Sequence, residues 1–168
     1  MGRALGQCAD AQLDGPARVL YINQPPGGVG VTEFGAGLRR GMAATAPDSK
    51  IVAVTDNDID RRTARQAALA AIRQDTTINA IVGVNDGAIL GATDALEVSD
   101  RKPGATCVVG VGGGDESVAA VRAGKVYALA ALQYQEDLMQ GADQMLAMIA
   151  HPQGAGVQLV TPIKTIKD

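Results

Sequence analysis

The chain has 168 residues, enough for one ordinary domain and too few for two good ones. It is 46% hydrophobic but only 2% aromatic, so its core must be built from Ala, Val, Ile and Leu, the mixture that fills parallel α/β layers. A net charge of −3 with Lys and Arg scattered weighs against a nucleic-acid face, and no apolar run approaches the ~18 residues of a membrane span or forms the core of a signal peptide.

Gly2 to Leu13 reads as a helix with Leu5, Cys8 and Ala9 close to one face, stopped by Asp14-Gly15-Pro16. Arg18 to Asn23 is the first strand. Gln24 to Gly30 (Gln-Pro-Pro-Gly-Gly-Val-Gly) is expected to be a loop that cannot be helical, with a helix opening at Thr32 or a neighbour and carrying Phe34, Leu38 and Met42 to Pro47. Lys50 to Val54 is the second strand, followed by a polar turn from Thr55 to Asp58. Asp60 caps a long helix through Arg73, with Ala64, Ala67, Ala68, Ala71 and Ile72 inward.

The third strand, Asn79 to Val84, ends on Asn85-Asp86, and a helix begins at once. Either residue can cap it, because a side-chain oxygen accepts a backbone N–H that otherwise lacks a partner. That helix carries Ile89, Leu90, Thr93 and Leu96 near the helical period. Cys107 to Val111 is a fourth strand ending in glycines, and Asp115-Glu116-Ser117 starts a short helix closed by Gly124. Val126 to Leu132 is a fifth strand ending in Gln133-Tyr134. Glu136 to Ala150 is an amphipathic helix with Leu138, Ala142, Met145, Leu146 and Ile149 on one stripe. His151 to Gly156 is a loop, and Val157 to Ile166 holds a last strand. Strands alternating with helices predict a single α/β domain over residues 1–168, a doubly wound (Rossmann-like) parallel sheet flanked by helices on both faces. Ligands of such sheets bind at the carboxyl edge, where the loops after the third and fourth strands lie.

Few residues on that edge suit catalysis. Gly27 to Thr32 follows a strand and precedes a helix, but a phosphate loop needs Lys before its Ser/Thr, and Val31 stands there. The glycines also miss dinucleotide spacing, although Asp56 closes the second strand, so a flexible turn is the better reading. Gly110 to Gly114 admits either a phosphate loop or a tight turn in which glycine lets a ligand or another backbone come close. Asn85 and Asp86 side by side, with Asp94 one helical stripe away, exceed what a single cap requires. There is no nucleophile–base pair. The single histidine, His151, precedes a proline in a late loop, and no His, Cys, Asp or Glu cluster has metal spacing. Cys8 and Cys107 are far apart, and Cys107 reads as a small core residue, which leaves the redox compartment open. A binding module without cofactor or metal is expected, rather than an enzyme.

The residues Ile78 to Leu96 (Ile-Asn-Ala-Ile-Val-Gly-Val-Asn-Asp-Gly-Ala-Ile-Leu-Gly-Ala-Thr-Asp-Ala-Leu) resemble the "AI-x-x-x-ND-x-x-A-x-GA-x-x-AL" segment of type I periplasmic binding proteins for sugars, the ribose- and arabinose-binding group. Val108 to Gly113 resembles that group's "VVG-[FI]-[DN]-G" turn, Glu116 to Lys125 its "EAVKAIKAGK" helix and Ala128 to Gln133 its "ATVAQ" strand. Upstream, Gly35 to Leu38 resembles "GEGF", and Asp60-Arg61 with Ala64 and Ala68 resembles the "DWDREKA" helix. The resemblance spans nearly the whole chain and corresponds to the C-terminal lobe of a two-lobed protein.

The resemblance implies a sugar or related small polar solute as ligand and an ABC transporter permease as partner of the full-length parent, at a periplasmic or lipid-anchored extracellular location. It implies ligand contacts at Asn85 and Gln133, which match the family, with Asp86, Thr32 and Gly112 on the same edge. The family's arginine lands near Thr32 or Phe34, and its "FDG" carboxylate lands on Gly112. It also implies that the segment 136–157 packs on an N-terminal lobe missing here. The stripe of Glu136 to Ala150 then lacks its usual cover, and a homodimer through 136–150 is expected. The effector lobe of a LacI-type regulator shares the resemblance, and a Rossmann-type nucleotide binder is the more distant alternative. No nucleic acid and no membrane insertion are expected for this chain.

Overall fold

A computed structural model describes residues 1–27, 29–56, 60–99, 101, 104–151 and 161–167. In chain order its elements are α1 (Gly2–Gln12), β1 (Arg18–Asn23), α2 (Val29–Thr45), β2 (Lys50–Asp56), α3 (Arg61–Gln74), β3 (Ala80–Gly83), α4 (Asp86–Glu97), β4 (Cys107–Val111), α5 (Asp115–Arg122), β5 (Ala128–Ala131), α6 (Tyr134–Ala150) and β6 (Lys164–Lys167). The strands form one sheet in the order β2-β1-β3-β4-β5-β6, with β1 to β5 parallel and β6 antiparallel to β5. This is the α/β, doubly wound architecture that the alternation of elements predicts.

Alternation along the strands builds two cores. Val19 and Tyr21 of β1 turn to Leu5 and Cys8 of α1 and to Leu38 and Met42 of α2. Leu20 and Ile22 turn the other way, to Ala64, Ala68 and Ile72 of α3 and to Ala88, Ala92 and Ala95 of α4. Ile89 of α4 packs with Val121 of α5 and Leu129 of β5 on that same side. Strands covered on both faces need continuous apolar sequence, which is why β3 and β4 are buried along their whole length. Because α2 leaves β1 toward one face and α4 leaves β3 toward the other, a crevice opens between these two strand ends.

Local sequence signals set the helix starts. Asp60 accepts the Thr63 N–H at 3.1 Å and Asn85 the Ala88 N–H at 2.8 Å, both as N-caps. Gly124 takes φ +68° just beyond α5, a conformation that closes the helix at no Cβ penalty.

Several expectations need correction. α2 begins at Val29, so Val29, Gly30 and Val31 are helical rather than loop; only the Pro25-Pro26 block upstream resists a helix. β2 runs on through Thr55 and Asp56, because the ladder pairs Ile22 with Thr55 and Asn23 with Asp56; the rest of the expected turn, residues 57–58, lies outside the described residues. The last strand is Lys164–Lys167 and antiparallel, so the sheet is mostly rather than wholly parallel. A chain returning along β5 needs no crossover to pair that way. Residues 152–160, expected as loop and strand start, also lie outside the described residues. Finally, Cys107 is more than a small core residue. Cys8 of α1 and Cys107 of β4 are both fully buried and joined as a disulfide, with Cα atoms 5.9 Å apart across a sequence separation of 99.

Helix α6 takes no part in either core. None of its residues is buried, and Leu138, Met145 and Ile149 are 74%, 66% and 73% exposed. An ion pair between Glu136 and Lys164 at 3.5 Å ties it to the body.

Candidate ligand-binding edge

The loop after β3 is braced against the loop after β4. Asn85, in extended backbone, spends its Oδ1 on the cap of α4, while its Nδ2 is buried without a hydrogen-bond partner. Asp86, the next residue, reaches across to β4, where its Oδ1 accepts the N–H groups of Gly113 at 3.1 Å and Gly114 at 3.3 Å. Gly112 makes room for this, since a Cβ there would lie 2.3 Å from Asp86 Oδ1. The Gly112 N–H itself donates to the Ala130 carbonyl at 3.2 Å.

This geometry settles the reading of Gly110 to Gly114. Two amides that could have cradled a phosphate are already held by a carboxylate, and an incoming phosphate would meet its negative charge. The glycines serve a close approach within the fold. Asp94 is likewise corrected from its association with Asn85 and Asp86. It is gripped by Arg61 in a bidentate pair, Nε to Oδ2 at 2.7 Å and Nη2 to Oδ1 at 2.8 Å, while Arg61 Nη1 also reaches Glu116 at 2.7 Å. The Arg61 hydrogen bonds hold the Asp94 carboxyl below its usual range against the opposing effect of burial, and the guanidinium is stabilised in turn. Arg61 thus ties α3, α4 and α5 together near the edge.

Of the five anticipated ligand residues, Asn85, Asp86 and Gly112 are brought together by these contacts. Gln133 follows β5, half-buried, and its Nε2 donates to the Ala131 carbonyl at 3.3 Å. Thr32 is exposed in the first turn of α2, and its hydroxyl makes no hydrogen bond among the described residues. Both occupy the same carboxyl edge, after β5 and β1 respectively, without touching the other three.

Two further residues of this edge were not singled out from the sequence. Asn23 ends β1 and Thr55 lies near the end of β2; Asn23 Oδ1 and Thr55 Oγ1 are buried without a hydrogen-bond partner. The signal was present in Asn23, a polar residue closing an apolar strand just as Asn85 follows one. Behind Asn23 on the same strand face, burial raises the pKa of Tyr21, with Arg39 opposing the shift and Asp56 adding to it. Among the described residues, no three His, Cys, Asp or Glu gather to hold a metal ion. A cavity of about 380 Å³ lined by Thr93, Leu96, Thr106 and Lys125 lies at the opposite, amino edge and is separate from these residues.

Comparison with known proteins matches the chain to one family. No curated protein matches the chain in sequence. Among solved structures, a periplasmic ribose ABC transporter protein from Conexibacter woesei is 22% identical, with a TM-score of 0.84 over 99% of this chain and 55% of that one. An ABC transporter periplasmic solute-binding protein from Actinobacillus succinogenes with bound D-allose is 20% identical, with a TM-score of 0.87 over 98% of this chain and 57% of that one. The periplasmic binding component of the arabinose ABC transporter from Shewanella sp. ANA-3 is 20% identical, with a TM-score of 0.82 over 99% and 55%. At these identities the likeness establishes the fold, and the chain spans little more than half the length of each. The family profile described as "periplasmic binding protein domain" matches residues 1–155. That family comprises solute-binding proteins of the periplasm and is not a family of enzymes. By a match over nearly its whole length, together with the fold, the chain belongs to the periplasmic binding protein domain family.

Proposed function

We propose that this chain is the C-terminal lobe of the substrate-binding component of an ABC-type sugar importer, taking a sugar or related small polar solute at the carboxyl ends of its strands. The observation that carries the reading is the overlay of 98–99% of the chain on about half of proteins named for ribose and arabinose transport or holding allose. The solute is held by Asn85 and Gln133, with Asp86, Thr32 and Gly112 on the rim. Asn85 Nδ2, an amide donor with no partner, supports a role in meeting a hydroxyl. A second lobe closes over the edge as a hinge, excluding water and adding the remaining contacts. The role we propose is binding rather than catalysis, in keeping with the solute-binding family.

The unburied stripe of α6 supports a second lobe seated on the segment 136–157 in the parent protein, with a homodimer through 136–150 as the substitute arrangement in this chain alone. The parent delivers its solute to a membrane permease from the periplasm or from a lipid anchor outside the cell. The buried disulfide supports such an oxidising location and counts against the effector lobe of a cytosolic regulator. A thermal-shift panel of pentoses, hexoses, polyols, purine nucleosides and NAD tests the reading. A rise in melting temperature with one sugar is expected, by mass action on the folded state. A rise with NAD alone would overturn it in favour of a nucleotide binder.

A further inference from the structure

Among the described residues the loops of the carboxyl edge are mostly acidic, and the base that returns there, Lys164 opposite Ala131, is held by Glu136 at 3.5 Å. The described residues of the segments 24–34, 56–60, 85–86, 112–116 and 133–137 include eight Asp and Glu and no Lys or Arg, although the whole chain has 15 Lys and Arg against 18 Asp and Glu. The nearest cations along the chain are turned to acids: Arg61 to Asp94 and Glu116, and Arg62 to Asp60 at 4.0 Å. Asp86 is engaged by backbone N–H groups. Asp56 differs. It is exposed at the end of β2 and makes no ion pair among the described residues. Its partner across the ladder is Asn23, whose Oδ1 is buried without a donor. Ladder partners in a parallel sheet share a face, which puts the Asp56 carboxylate beside the Asn23 amide.

We infer that the carboxyl edge sorts solutes by charge, taking a polyol with a protonated amine ahead of the neutral polyol and turning away the anionic one, with Asp56 and Asn23 setting that order. The inference rests on the solute-binding reading above. An ammonium offers three N–H donors and a positive charge to the exposed Asp56 carboxylate, beside the Asn23 amide. A concave surface lined by one sign of charge also concentrates its counter-ion. An anionic solute gives up water only to face like charge, since Lys164 on that edge is already held by Glu136.

The test is a ¹H–¹⁵N NMR titration of this chain with D-glucosamine, D-glucose and D-glucuronate. It is run at low salt and about pH 6, where the amine is protonated and the uronate ionised. The side-chain amides of Asn23, Asn85 and Gln133 are followed. Glucosamine is expected to bind about fivefold or more tighter than glucose, the size of one added charge contact near a surface, and glucuronate not to bind. Adding about 0.5 M salt shrinks the preference, because screening acts within a few ångströms. Asp56→Asn is expected to bring glucosamine and glucose to near equality. Glucuronate binding as well as glucose would overturn the charge sorting alone. A preference that survives Asp56→Asn would overturn the assignment to Asp56. Silence of all three amides with all three sugars would overturn the solute-binding reading itself, and the charge sorting with it.

Discussion

Arg61 holds Asp94 by both prongs of its guanidinium, 2.7 Å and 2.8 Å from the two carboxylate oxygens, and so fastens α3 to α4 across 33 positions of sequence. The pair is partly open to solvent, with the two side chains 47% and 26% exposed, so its contribution is screened. Asp94→Asn is expected to lower stability by about 1 kcal/mol near neutral pH, a fall in Tm of about 2–4 °C. The folded-state pKa of Asp94 lies below its ordinary 3.8, so the pair contributes fully above that value and is lost as pH falls through the folded pKa. The gap between parent and variant should therefore close in acid. Urea titrations at neutral pH and below about pH 3 check this. A gap that persists in acid would assign the loss to packing instead.

Gly112 is fixed by its neighbour. With a Cβ 2.3 Å from Asp86 Oδ1, Gly112→Ala must push the carboxylate off the Gly113 and Gly114 amides. A loss of roughly 1–3 kcal/mol is expected from overpacking. In an Asp86→Ala background the same change should cost much less, giving a measurable coupling energy in a double-mutant cycle. Additive effects would show that the two residues are independent.

The disulfide joins the first helix to a central strand. Replacing Cys8 and Cys107 together by Ala should leave the fold intact and lower its stability by roughly 3–5 kcal/mol, on the chain-entropy account for a loop of this length. Urea unfolding of the oxidised parent against the double variant measures it. Equal midpoints and slopes would show that packing around α1 suffices without the bridge.

Helix α6 contributes nothing to the cores, so charging its apolar stripe should not disturb them. Leu138→Glu with Ile149→Glu is expected to leave stability within about 0.5 kcal/mol of the parent. The same change should abolish the concentration-dependent self-association that light scattering is expected to find in the parent. A parent that stays monomeric at high concentration, with α6 solvated, would remove the homodimer.

Much of the fold was legible because it rests on local signals. The bounds of β1 and β4 follow from unbroken apolar runs, and Asp60 and Asn85 announce the helices they cap. What escaped reading depends on distant partners. Nothing near Cys107 reveals that α1 lies across β4, and nothing near Asp94 reveals Arg61. The direction of β6 was hidden too, because Lys-Thr-Ile-Lys pairs equally well either way in pattern. On the edge, Asn85 stood out because a second polar residue follows it. Asn23 did not, since one polar residue at a strand end looks like a boundary, and only the register with Asp56 places an acceptor beside it.

The antiparallel pairing of β5 with β6 has a mechanical consequence. The chain departs for α6 from Ala131 and returns at Lys164, and these two residues face each other across the ladder. A force applied through α6 therefore pulls on both strands from the same end, and the ladder yields one rung at a time, like a zipper, instead of resisting as a whole in shear. The edge of the sheet is weak toward any body that grips α6 and strong toward loads along the strands. Under a load applied through α6, the rungs should open first at the Ala131–Lys164 end and last at Ala128–Lys167.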